Sequence, residues 1–178
     1  MSKPLILHLL LLTLACQLTS QYHNFVKADE QLIQEECHNA NVPEVCIQCL
    51  KSNPHSENAD KVGIAEIIVG CLIEHANNLQ ANMTTLASSA KDNRFKTMLE
   101  KCEEALSSTD GLLIQTMVEL KNGEYDEAEL SATEALRYEV SCDHIFGRRQ
   151  AYLPTHVVYE MKIYKELSEA ANRIIERL

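Results

Sequence analysis

The spacing of the cysteines constrains this chain more than any other feature. Cys37 and Cys46 enclose eight residues, in a short polar segment that contains Pro43. Cys102 and Cys142 enclose 39, and stand at the start of one long amphipathic stretch and at the end of the next. Bridges at those two spacings would give a short clip and one long staple across two helices. Such an object presents a surface and has no need to enclose an active site. Closing the larger loop needs Cα atoms within about 7 Å, which would make the two helices neighbours. On chain-entropy grounds the small loop is worth about 2.7 kcal/mol and the large one about 3.9 kcal/mol. Six cysteines can pair in 15 ways, and the layout alone leaves other pairings open.

Those six remain because the seventh, Cys16, lies in a leader. Residues 1–20 carry one positive charge, Lys3, followed by an apolar run from Leu5 to Ala15. That run is too short to span a bilayer and has the form of a secretory signal. Small residues at Thr13-Leu14-Ala15 and Leu18-Thr19-Ser20 place the cut anywhere between 15 and 22. No second apolar stretch reads as a membrane span, so the expected product is exported, oxidised and free of the membrane after cleavage. The sequon Asn82-Met83-Thr84 makes Asn82 a candidate glycan acceptor.

Removing the leader leaves about 158 residues, a single-domain length that can bury a core of its own. With Lys3 gone, 26 acids face 15 bases. Nucleic acid is excluded as a partner, since phosphate contacts need clustered Lys and Arg. Anionic lipid is excluded on the same ground. A basic protein partner, or plain solubility, fits the charge better.

Gly, Pro and Trp are scarce (5, 4 and 0), and Ala, Leu, Glu and Lys fill long tracts, a helical composition. The pattern predicts short helices over 29–40 and 43–51, with Pro43 tolerated in a first turn. A long helix follows from about Asn58, with Ile64, Ile67, Ile68, Cys71, Leu72 and Ala76 on one face. Gly63 and Gly70 read there as room for a neighbouring helix. After a break at Asp92-Asn93, apolar steps of three or four run from Met98 to Leu120, Thr109 filling one turn. Asn122-Gly123 is a stop signal. A helix over about 126–141 carries Ala128, Ala132, Ala135, Leu136 and Val140, and a loop then runs from Cys142 to Pro154. Val157, Met161, Tyr164, Ser168, Ala171, Ile175 and Leu178 alternate steps of four and three, a bundle seam. The expected fold is all-α: an up-down-up-down antiparallel four-helix bundle over 58–178, preceded by a helical hairpin over 29–57.

At this point the residues resemble a family. Ile33-Gln34-Glu35-Glu36-Cys37, Val42-Pro43-Glu44-Val45-Cys46 and Leu50-Lys51-Ser52-Asn53-Pro54-His55-Ser56, with Ala59-Asp60 and Gly63-Ile64-Ala65, resemble the opening of the plant invertase and pectin methylesterase inhibitors. Lys101-Cys102-Glu103-Glu104-Ala105-Leu106, Gly123-Glu124-Tyr125, Ser131-Ala132 and Cys142 are similar to their second cysteine pair, and Ile174-Ile175-Glu176-Arg177-Leu178 to their closing helix. The resemblance covers nearly all of the mature chain. It implies disulfides Cys37–Cys46 and Cys102–Cys142, a monomer without cofactor, and one-to-one inhibition of a secreted or vacuolar carbohydrate enzyme. The stretch from Leu50 to Ala65 looks more like the invertase inhibitors, with pectin methylesterase as the alternative target. Some invertase inhibitors carry Pro-Lys-Phe in the turn before the third bundle helix, where it enters the enzyme's sugar site. The matching residues here are Tyr125-Asp126-Glu127, with an acid in place of the lysine. The candidate target-binding residues are therefore Gly123, Glu124, Tyr125, Asp126 and Glu127.

Other constellations reduce to ordinary roles. Cys46-Ile47-Gln48-Cys49, with Cys37, His38, Cys71 and His75, has the residue types of a zinc site, but export favours disulfides, so no metal is expected. Cys49 and Cys71 are left as a third bridge or as two buried thiols. His144 and His156 flank Arg148-Arg149, a contact patch or a solvated loop. No spacing proposes a catalytic set, so the chain does not read as an enzyme. A helical carrier of small apolar ligands is the more remote rival, and it would need a cavity.

Overall fold

The computed structural model describes residues 30–147 and 153–178. The leader and Arg148-Arg149 lie outside the described residues. Among the described residues all regular structure is helical: α1 (30–38), α2 (Pro43–Ser52), a 3₁₀ turn (Ser56–Asn58), α3 (Lys61–Ser89), α4 (Asn93–Asn122), α5 (Tyr125–Phe146) and α6 (Thr155–Ile175).

Helix ends are set by local chemistry. Asp60 caps α3, its Oδ1 accepting from the Gly63 N–H at 2.9 Å. Asp92 caps α4 in the same way through the Phe95 N–H at 2.7 Å. Each cap satisfies an orphan donor worth about 1 kcal/mol. The long helix therefore begins at Lys61, three residues after the position expected from periodicity, because Ser56–Asn58 makes a separate 3₁₀ turn first.

Consecutive helices of the bundle pack on one another, and α3 against α6 closes the ring. The expected seam of α6 is buried from Val157 through Ile175, with Leu167, Ala170 and Ile174 beside it. In α4, Leu99, Cys102, Leu106, Leu113 and Leu120 face inward. Thr109 is fully buried among them, donating to the Ala105 carbonyl at 3.2 Å. The buried face of the first half of α5 is made of small residues, Ala128, Ser131, Ala132 and Ala135. Small side chains let α5 approach α4 closely, and Cys102 and Cys142 stand 4.9 Å apart at Cα.

Three expectations need correction. α5 does not stop at Cys142; it continues to Phe146, whose ring is buried and meets Phe95 edge-on with centroids 6.2 Å apart. That anchor extends the helix by a turn, until Gly147 at φ +46° ends it. Gly70 admits no neighbouring helix, since a Cβ built there meets nothing within 4 Å, and at Gly63 it would meet Ala59 at 3.1 Å and Asp60 Oδ1 at 3.5 Å, both of the adjoining segment. Finally, α3 is long and apolar enough to cross a membrane by length and composition. In the fold it is a core helix, with Ile64, Ile68, Leu72, Leu79 and Met83 buried against its neighbours.

The structure joins Cys37 to Cys46, Cys49 to Cys71 and Cys102 to Cys142. The first closes the hairpin of α1 and α2. The second ties α2 to α3, and the third ties α4 to α5. No group of three or more ligating side chains among the described residues could hold a metal ion.

Candidate functional site

The turn from α4 to α5 begins with an Asn-Gly signal that does its expected work. Gly123 adopts φ +75°, the left-handed region where a side chain would clash. Its N–H reaches the Leu120 carbonyl at 3.1 Å, and the Glu124 N–H reaches the Glu119 carbonyl at 2.9 Å. That pair of bonds is a Schellman motif, which satisfies two of the orphan carbonyls of α4. α5 starts two residues later, so the turn is short and fixed.

The geometry sorts the five candidate residues. Gly123, Glu124, Asp126 and Glu127 are exposed at the tip. Tyr125 is half-buried and packs against the core, so it roots the turn as well as facing outward. Asn122 Nδ2 lies 3.5 Å from Glu124 Oε2, a long contact across the tip. One turn back, Glu119 is buried at 7% exposure; Gln115 donates to its Oε1 at 2.8 Å, and no partner meets its Oε2 among the described residues. The tip therefore carries clustered negative charge on a short turn held by backbone hydrogen bonds.

Residues 31–176 match the family model described as plant invertase/pectin methylesterase inhibitor. The chain belongs to that family. Members of the family are inhibitors of enzymes and are not themselves catalysts. Among relatives, the chain is 31% identical over 118 residues to a cell wall/vacuolar inhibitor of fructosidase from Arabidopsis thaliana, an alignment spanning 66% of each chain. It is 28% identical over 145 residues to a pectinesterase inhibitor from Actinidia deliciosa, spanning 82% of this chain and 78% of the relative. The fold is shared with a crystal structure of a pectin methylesterase inhibitor from Arabidopsis in a mutant form. The two superpose with a TM-score of 0.72 at 20% identity, over 82% of this chain and 96% of that one.

The remaining candidates of this inhibitor-family chain lie elsewhere. Asn82 sits in mid-α3, partly exposed, its amide donating to the Asn78 carbonyl at 2.9 Å. His144 is exposed and donates from Nδ1 to the Val140 carbonyl at 2.7 Å; His156 is exposed at the start of α6. Sequence reasoning missed a buried carboxylate, Glu36 of α1. Arg177 Nη2 donates to its Oε2 at 2.6 Å, and Lys61 Nζ lies 3.2 Å from its Oε1. Burial works to raise its pKa, but the hydrogen bonds from Arg177 and Lys61 outweigh that and hold it below the ordinary value. Nearby, Arg173 donates to the Asn39 carbonyl and, at 2.9 Å, to Asn41 Oδ1. Arg177 and Arg173 lie 141, 134 and 132 residues from the groups they bond, too far to leave a local signal.

Proposed function

We propose that the chain is a secreted inhibitor that docks one-to-one on a cell-wall or vacuolar carbohydrate enzyme and covers its active site, with invertase (β-fructofuranosidase) as the first target. The observation that carries this reading is the family match across 31–176, joined to the 31% identity with a fructosidase inhibitor. Physics supports the mode of action. A bundle braced by three disulfides loses little further conformational freedom on docking, so contact energy is not spent on ordering. In this reading residues 1–20 are removed, and the hairpin (29–57) and bundle (58–178) act as one monomeric domain in the apoplast or vacuole.

Pectin methylesterase is the second reading, and Asp126 favours it. Glycosidases of this kind work with paired carboxylates. A carboxylate brought beside them is repelled or raises a neighbouring pKa, so Asp126 is a poor key for a sugar site. The longer alignment with the pectinesterase inhibitor points the same way.

Titration of the purified protein against both enzymes decides. Loss of activity should saturate at equal molar amounts with one of them. Tyr125→Ala should raise the inhibition constant markedly while lowering the melting temperature only slightly. A large loss of stability with full inhibition would make Tyr125 a packing residue only. Both enzymes keeping full activity at excess inhibitor would end the inhibitor reading.

A further inference from the structure

One whole stripe of α3 is given to a surface groove. Gly63, Glu66, Ile67, Gly70, Cys71 and Glu74 each lie three or four residues from another of the set, on one face of the helix, and all six line it. Met117 of α4 forms the opposite side, and the segment from Ser52 to Asp60 closes one end, around a volume of about 840 Å³. Elsewhere on α4, Ile114 and Val118 are 51% and 53% exposed. Residues 114, 117 and 118 share one stripe of α4 by their spacing.

Three features describe what would fit there. The floor is apolar, from Ile67, Met117 and Ala59. Gly70 sits between Glu66 and Glu74, one turn from each, and leaves helix backbone uncovered. Nothing in the fold asks for glycine at this position, where it weakens the helix by about 1 kcal/mol relative to Ala. The rim is negative. Glu66 and Glu74 make no ion pair or hydrogen bond among the described residues, and no Lys or Arg lines the groove. His55, exposed, is the titratable base at its edge. Lys61 is turned to Glu36, and Lys121 is not among the lining residues.

We propose that this groove receives a lysine- or arginine-bearing segment of the target enzyme, the alkyl stem lying over Ile67 and Met117, the charge meeting Glu66 and Glu74, and the backbone drawn close at Gly70. Long cationic side chains bury their stems on apolar surface while keeping the head among polar groups, which is the arrangement the groove offers. The proposal rests on the inhibitor reading above and adds a second contact to the α4–α5 turn. Met117 lies five residues before Asn122, about 8 Å along the helix, so one partner can span both.

The test uses the full mature chain with purified invertase and pectin methylesterase. Glu66→Gln/Glu74→Gln should raise the inhibition constant about tenfold and flatten its dependence on salt. Gly70→Met, which fills the groove from an open position, should raise it at least as much while the melting temperature holds or rises. Gly70→Ala serves as the fold control and should be more stable than wild type. Wild-type inhibition that persists unchanged in both groove variants would overturn the groove assignment and leave the inhibitor reading standing. A wild-type protein inert toward both enzymes would fail the inhibitor reading and the groove with it. If the groove variants instead abolish a concentration-dependent dimer seen by sedimentation, the occupant is a second copy and the proposal is wrong.

Discussion

Glu36 is 3% exposed, in the first helix, and its charge is held by a guanidinium from the last residues of the chain and by the ammonium of Lys61. Unfolded, its pKa is near 4.5; folded, it is lower. A depressed carboxyl contributes stability that is complete above the unfolded value and is lost as pH falls through the folded one. Thermal unfolding should therefore show wild type losing stability below about pH 4.5. Glu36→Gln should be weaker at pH 7 by about 2 kcal/mol, since it removes a charge-assisted pair from a buried site. The two proteins should converge in acid; parallel curves down to pH 3 would show that the charge on Glu36 does not matter. Gly123 makes the complementary point. Its left-handed backbone was legible from Asn122-Gly123, because turn chemistry is local. The partners of Glu36 were not, because they are assembled only by the fold.

At the scale of elements, α2 is a strap laid over the bundle. It buries Cys46, Cys49 and Leu50, and the Cys49–Cys71 bridge ties it to α3. By the loop-closure estimate that bridge is worth about 3 kcal/mol. Cys49→Ser/Cys71→Ser should lower the stability of the folded protein by that order, with helicity retained by circular dichroism and faster amide exchange confined to α1 and α2. Exchange rising equally through α4 and α5 would show that the strap is not a separable unit. The helices themselves were readable from spacing: the α6 seam from Val157 to Ile175 is buried as its steps of four and three require. The end of α5 was not, because one buried ring, Phe146, outweighed the polar run Ser141 to His144. Gly63 and Gly70 were misread for a different reason. Glycines at helical spacing have the same pattern whether a helix or open space lies beside them, and Gly70 faces open space.

For the molecule as a whole, the full sequence's charge of −10 and isoelectric point near 5.1 make pH a reporter of the partner. Near pH 5 the long-range field falls towards zero. An acidic enzyme surface would then be met faster than at pH 7, and a basic one more slowly. With Glu66 and Glu74 as contacts, association measured by surface plasmon resonance should be slower at pH 5 than at pH 7, and slower again in high salt. Faster association at pH 5 would mark an acidic docking face on the enzyme. The clasp between Glu36 and Arg177 has a consequence for biogenesis. Synthesis runs from the amino end, so the Glu36 clasp cannot close until the chain has been made as far as Arg177, 141 residues on. A product truncated before Arg177 would keep Lys61 and the Cys37–Cys46 bridge on that helix but would leave Glu36 buried with one cation in place of two.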